Sequence, residues 1–474
     1  MAREIPYYAN LRTYTTFSIG VGIGYPKDII KAAVKHSHNA FAITDNMTLA
    51  AHIMAITDLE DLKSKGLNTD IGYILGSNIY LAENKRHQDS ENRYTRLMLF
   101  AKNQAGYSKL SRLIAIGGRE EYKYYKARID MTELLADPSD LVCSTGCLMS
   151  IFGKHILEET GEEESIFLRF KESFKEDFYV EIVAQDTSQR WSKELEEFVD
   201  DGFNKQLKVN QRMFELAKKH GVTAYLSTPI YIPEDRFKFT QDVIAQNATG
   251  GTVRFYESHS FKSKDQIFEY ALKTTGLSED QVAQLMANTE HLAKKCQNIK
   301  FDFKPIIPRV PKENFSAWKN AELREKLTLL GKKFKDRYLG HIINDVCPKD
   351  EELTLTLLII LEKGKINFDD EQFVVRLEYD IFTNQRNGVV KLIGYYLPIA
   401  DVINNVINVC DEYGPIEETP TGRGSAAACM INYGLDITSV DPVKWNLDPR
   451  RFLSPERAYT VNTEIKGFPK PPIK

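Results

Sequence analysis

The chain has 474 residues, 42% of them hydrophobic and 27% charged, a balance that excludes disorder over most of its length and allows about three domains with cores of their own. Its 62 basic and 66 acidic residues leave a net charge of −4, so no whole-chain field draws it onto nucleic acid, although a local basic groove could still do so. Six cysteines without a CxxC pair read as free thiols of a reducing cytoplasm, and no apolar stretch approaches the ~20 residues of a membrane span.

In chain order, "YYANLRTY" reads as a strand, "PKDIIKAAVKHS" as an amphipathic helix opened by Pro26, and "AFAITD" and "DIGYILGSNIYLA" as strands. Strand, helix, strand in this rhythm predicts parallel βα units. The pattern continues through "RYTRLMLFAKN", "FYVEIVAQD", a helix "NKQLKVNQRMFELAKKHG" capped by Gly221, and "VTAYLSTPIYI". Residues 1–263 are therefore expected to form one α/β barrel-like domain. His36 and His38, in "KHSH" at a helix end, read as solvated caps.

From 264 to 370 the texture changes to helices with charged faces, read as a helical connector. Ser278 and Gln281 have the spacing of a capping box. Residues 371–474 hold a further helical run that leads into "GPIEETPTGRGSAAACMINYG". There the glycines and prolines break the helix, and "SAAACMINY" predicts a new one, capped by Ser425 and stopped by Gly434. A glycine pair at a helix start lets backbone amides approach an anion, and Arg423 adds a charged fork for a phosphate oxygen. Gly422, Arg423, Gly424 and Ser425 are thus the candidate phosphate-binding residues.

The stretch "GRGSAAACMINYGLDITSVDPVKWNLDPRRFLSPER" resembles the bacterial DNA polymerase III alpha subunit, the C-family replicative polymerase. The matching residues are Ile437, Thr438, Asp441, Pro442, Lys444, Asn446 and Leu447, then Arg451 to Leu453 and Pro455 to Arg457. Upstream, "PKDIIKAAVKHSHNAFAITDNMTLAAH", "FAKNQAGYSKLSRL", "STGCLMS" and "FYVEIVAQD" are similar to that family's amino-terminal PHP domain. The resemblance implies a PHP-type βα barrel, a helical connector and a partial polymerase-beta-like palm of α+β type. It also implies an amino-terminal fragment of a split polymerase of the kind a phage could encode, in the host bacterial cytoplasm. Expected partners are a carboxy-terminal polymerase subunit, primer-template DNA and a deoxynucleoside triphosphate, with Mg²⁺ in the assembled enzyme and no membrane.

Two sites depart from the family pattern. Where metal-binding PHP domains carry His, Asp and Glu, this chain has Asn10, Arg12, Tyr14, Asn46, Asn78, Arg96, Thr228 and Ile230, with Asp45 the remnant. One carboxylate among amides and cations cannot hold a metal cluster, so the domain is expected to be a scaffold that binds none. In the palm, where the family places two metal-binding aspartates, Asn462 and Glu464 stand instead, with Lys466 nearby. Glu464 alone would neutralise a pair of dications poorly, so the isolated chain is expected to be inactive. Two explanations stay open: a divergent end whose aspartates lie in a partner, or a polymerase-like binding protein that modulates a replicase without catalysis.

Overall fold

The computed structural model describes residues 7–67, 70–85, 88, 93–192, 197–200, 202–249, 259–297, 299–301, 308–385, 393–413 and 424–453. These divide into two compact units, Met1–Asp302 and Phe303–Lys474.

The first unit is built on ten strands: β1 (Ala9–Asn10), β2 (Ala40–Ile43), β3 (Gly72–Ala82), β4 (Thr95–Ala101), β5 (Ile129–Asp130), β6 (Leu141–Ser144), β7 (Phe178–Val183), β8 (Gln189–Ser192), β9 (Glu197–Asp200) and β10 (Ala224–Ser227). One sheet runs β1-β2-β3-β4-β6-β7-β10, with β5 beside β3, while β8 and β9 form a separate hairpin. Beyond its two edge strands the sheet is nearly closed into a barrel. A parallel bridge joins Thr13 to Ile230; Tyr14 N donates to Ile230 O at 2.8 Å, and Ile230 N to Arg12 O at 2.9 Å. The expected all-parallel order is broken at β4, which runs antiparallel to both β3 and β6. A loop rather than a crossover helix joins β3 to β4, and a short connection of that kind reverses the chain.

Period-two alternation sorts the side chains. On β4, Leu97 and Leu99 join the outer layer with Val180, Ile182 and Leu226. Met98 and Phe100 belong instead to a cluster with Ile74, Val142, Tyr179 and Tyr225. Leu292, Ala293 and Cys296 of the Thr289–Cys296 helix complete that second cluster. This helix meets the starts of the strands: Ala9 N donates to Thr289 Oγ1 at 2.9 Å, and Asn288 Nδ2 to Ala224 O at 2.7 Å. The helices Lys264–Thr275 and Glu279–Ala287 bury Ile267, Ala271, Val282, Leu285 and Met286 in the outer layer. Residues 264–301 therefore belong to the first unit, and the boundary expected at 263 moves to 302. Their charged faces suggested a connector, but their apolar faces complete the barrel. The capping box of Ser278 and Gln281 is present.

Three histidines are sealed into this unit. His52 bonds Tyr73 Oη at 2.5 Å through Nδ1 and Gly76 O at 3.0 Å through Nε2. His38 is buried against Lys262 O at 2.9 Å, which corrects its reading as a solvated cap. Burial lowers His38 and His52 to about 4, and His259 to about 3. Between their unfolded value of 6.5 and these values the native state binds fewer protons than the unfolded chain, so acid destabilises it. Acidifying from pH 7.5 to 5 is expected to cost this unit about 2 kcal/mol for His52 alone. Urea unfolding should show that loss in the wild type and a smaller one in His52→Gln; equal losses would assign the pH response elsewhere.

Among its described residues the second unit is helical. The Glu351–Lys363 helix is its centre, with Leu353, Leu355, Leu357, Leu358, Ile359 and Ile360 buried. Around it pack Ala321–Lys333, Glu371–Gln385, Ile393–Tyr413 and the short Met430–Gly434 helix. Arg337 forks onto the buried Glu378 at 3.2 and 2.8 Å, and Leu339 N donates to the same carboxylate at 2.9 Å. No helix among the described residues is long and apolar enough to cross a membrane.

Candidate sites at the barrel mouth and behind the glycine loop

In the first unit the residues at the former metal positions gather where the parallel strands end. Asn10 closes β1 and donates through Nδ2 to Thr228 O at 3.0 Å and Thr228 Oγ1 at 3.1 Å. Its Oδ1 accepts from Arg12 N and Thr13 Oγ1. Arg12 is buried and forks onto Glu181 of β7, Nε to Oε1 at 2.8 Å and Nη2 to Oε2 at 2.7 Å. Ser227 Oγ donates to Glu181 Oε1 at 2.5 Å, and Glu181 N donates to Thr145 Oγ1 at 3.0 Å. The carboxylate is thus fully engaged without a metal.

Asp45, just past β2, is buried and uses both oxygens. It accepts from Thr15 N and Thr15 Oγ1, each at 2.7 Å, and from Ser18 Oγ at 2.6 Å. Burial raises its carboxyl above the ordinary range, and the Ser18 and Thr15 bonds oppose the rise. Tyr14 stacks on Tyr231 with centroids 4.8 Å apart. The Tyr14 hydroxyl accepts from Arg12 Nη1 at 3.4 Å and Asn78 Nδ2 at 3.0 Å, and Asn78 Nδ2 also reaches Asn46 Oδ1 at 2.8 Å. Arg96 enters from β4 beside Tyr80, its guanidinium 5.9 Å from that ring's centroid. Ile230 contributes main-chain bonds that close the barrel.

Glu181 is the residue that the motif comparison missed. A glutamate inside the otherwise apolar run "FYVEIV", alternating in register with Tyr179, was its visible signal, since a carboxylate buried on both faces of a sheet must find a partner. Among the described residues no three His, Cys, Asp or Glu side chains converge. A metal cluster does not fit here: a cation already occupies Glu181, and hydroxyl and amide donors saturate Asp45.

In the second unit the expected helix from Ser425 to Tyr433 is broken. Gly424–Ala428 forms a 3₁₀ turn, Cys429 is extended, and the α-helix is only Met430–Gly434. Ser425 therefore lies inside a turn and caps no helix, and the argument from a helix dipole lapses. The interruption lets Met430 N reach Asp380 Oδ2 at 2.5 Å, beneath the turn. Asn432 Nδ2 braces the turn by donating to Ala426 O at 3.1 Å. Gly434 is explained by close approach, because a Cβ there would lie 2.9 Å from Ile360 Cγ1 and from Ile366 Cδ1. Gly424 has φ +72° and no neighbouring atom within 4 Å of where a Cβ would stand, so glycine is there for its backbone conformation. Gly422, Arg423, Asn462, Glu464 and Lys466 lie outside the described residues.

Asp380 is the second residue the motifs did not reveal. It is buried on the Glu371–Gln385 helix. Burial pushes its carboxyl up to about 7, against the downward pull of the Met430 amide. Tyr396 Oη donates to Asn384 Oδ1 at 2.9 Å in the same pocket.

A nearly closed barrel with its polar residues at the strand ends defines a PHP-type domain, and the PHP domain family matches residues 10–185. The bacterial DNA polymerase III alpha NTPase domain family matches residues 371–462. The chain is 27% identical over 475 residues to the DNA polymerase III subunit alpha of Borreliella burgdorferi, covering 97% of this chain and 35% of that protein. It is 24% identical over 478 residues to the DNA-directed DNA polymerase of Bacillus phage SPbeta, covering 93% of this chain and 34% of that one. A solved putative metal-dependent phosphoesterase from Bifidobacterium adolescentis aligns at 11% identity with a TM-score of 0.28, over 47% of this chain and 87% of the other; that likeness decides nothing about chemistry. The chain is a PHP-domain protein. More narrowly, it is a relative of the DNA polymerase III alpha subunits and corresponds to their amino-terminal part. It spans about a third of the length of the curated relatives it matches.

Proposed function

We propose that this chain supplies the PHP and first palm portion of a C-family DNA-directed DNA polymerase. The observation that carries the reading is the continuous match of 93–97% of the chain to DNA polymerases, together with the polymerase-family match across the glycine loop. In this reading Gly422, Arg423, Gly424 and Ser425 hold the triphosphate of an incoming nucleotide opposite primer-template DNA. The Mg²⁺ carboxylates come from sequence that the relatives carry beyond the matched length. The PHP barrel is a scaffold that binds no metal.

One surface supports an association with further polymerase sequence. On the Ile393–Tyr413 helix, Ile399, Val402, Val406 and Val409 are 46–60% exposed. Their spacing of three, four and three residues draws one apolar stripe along the helix. The occupant proposed for this stripe is the polymerase sequence missing from the matched third, whether on this polypeptide or another. A second reading, a non-catalytic binding protein that modulates a replicase, is favoured by Asn462 and Glu464 at the positions of the family's aspartates.

Primer extension separates the two. The purified 474-residue chain is expected to extend no primer, and to do so once a carboxy-terminal polymerase polypeptide is added. Val402→Glu with Val406→Glu should block that restoration. Arg423→Ala should lower nucleotide use roughly tenfold or more, by the loss of charge-assisted hydrogen bonds. Extension by the chain alone would overturn the reading, and a polypeptide that binds but never restores synthesis would establish the non-catalytic one.

A further inference from the structure

We propose that the mouth of the barrel is a phosphate-binding site, with Arg96 as its cation. The inference is independent of the polymerase reading.

Three unsatisfied groups meet at this end of the barrel. Arg96 Nε is buried and without a hydrogen-bond partner. No ion pair to Arg96 exists among the described residues, and the groups acting on its charge are Tyr14, Cys147, Tyr231 and Tyr80 rather than a carboxylate. Tyr14 Oη accepts from Arg12 and from Asn78, so its own proton is left to donate. Asn78, fully buried, spends Nδ2 on Tyr14 and Asn46 and has no donor for Oδ1.

The register puts these groups within common reach. Tyr80 pairs with Arg96 and Asn78 with Met98 across β3 and β4, so Asn78 and Arg96 are diagonal neighbours on one face. A buried cation and a buried amide oxygen left without partners each carry a desolvation cost that native proteins seldom leave uncompensated. The acids that could answer Arg96 are committed elsewhere, Glu181 to Arg12 and Asp45 to Thr15 and Ser18. What remains is two donors, one positive charge and one acceptor.

That set matches a phosphate carrying one P–OH group. Its anionic oxygens accept from Arg96 and Tyr14, and its hydroxyl donates to Asn78 Oδ1. Sulfate, fully ionised near neutrality, cannot make the last bond, and a phosphodiester lacks the proton as well. The same chemistry could come from free inorganic phosphate or from the terminal phosphate of a nucleic-acid end. The site thus inverts the sign of the one its fold relatives build: a ligand anion faces a protein cation.

The test is thermal unfolding of the full chain at fixed ionic strength and pH 7 in potassium phosphate, sulfate or chloride. It is repeated with 5′-phosphorylated and unphosphorylated oligonucleotides of one sequence. Phosphate is expected to raise the Tm of the wild type above sulfate and chloride. Arg96→Gln should weaken phosphate binding roughly tenfold to a hundredfold, and Tyr14→Phe should weaken it with the charge retained. A further rise with only the phosphorylated oligonucleotide would identify a nucleic-acid end as the source; equal oligonucleotide curves would leave free phosphate. Identical wild-type curves in phosphate and sulfate would overturn the proposal even if Arg96→Gln failed to fold, and so would a full phosphate response in a folded Arg96→Gln.

Discussion

Arg12→Met is expected to lower the stability of the first unit by about 3–5 kcal/mol, the cost of leaving a buried carboxylate without its cation. Arg12 and Glu181 are 2% and 0% exposed at their side chains and only 2.7 Å apart. Their fork spans the barrel from the end of β1 to β7, strands that are not neighbours in the sheet. The pair thus does for the barrel what a metal cluster does where carboxylates and imidazoles converge: it ties distant strand ends to one charge centre. Adding Glu181→Gln to Arg12→Met should recover most of the loss, because a neutral amide can still accept from Ser227 and no buried charge is stranded. Urea unfolding of the wild type, both single variants and the double variant measures the coupling. A cost for Arg12→Met below about 1 kcal/mol would mean that the barrel does not depend on the pair. An excess of chelator should leave the wild-type transition unmoved.

The second unit is expected to weaken as pH rises, opposite to the histidine-bearing barrel. Asp380 has a native value of about 7 against 3.8 for the free carboxyl. Between those values the native state holds a proton that the unfolded chain has released, so stability falls with increasing pH. From pH 5 to 8 the loss comes to roughly 3 kcal/mol, since above 7 the fold must bury a carboxylate whose only close donor is the Met430 amide. Asp380→Asn keeps an acceptor for that amide and removes the charge. It is therefore expected to flatten the pH dependence and to be the more stable form at pH 8. Hydrogen exchange at the Met430 amide in the full chain reads this locally: protection should drop with pH in the wild type, after correction for intrinsic exchange, and hold in Asp380→Asn. A wild type whose protection is level across that range would remove Asp380 from the account. The position matters because Met430 follows directly on the turn that carries Gly424 and Ser425.

Much of the first unit could be read without coordinates. The strands from "AFAITD" and "GYILGSNIYLA", the helix opened by Pro26 and the cap at Gly221 with φ +65° stand where apolar periodicity and capping residues put them. Those signals are local, and the residues that create them lie within one turn or one pleat of each other. The reversal at β4 was not legible, because an alternating strand looks the same in either direction.

The amino-acid sequence by itself determined the family, the order of the elements and the loss of the metal-binding residues at Asn10, Arg12, Asn78 and Thr228, since each depends on residue identity in a fixed order. Only the tertiary structure decided where Arg12 finds its counter-charge, 169 positions away at Glu181, and that Asp380 sits beneath the turn 50 positions later. It also decided that the helices after 263 close the barrel. The physical reason is the same in each case: the free energy of a buried charge or an apolar face is set by what packs against it, and distant parts of the chain supply those partners.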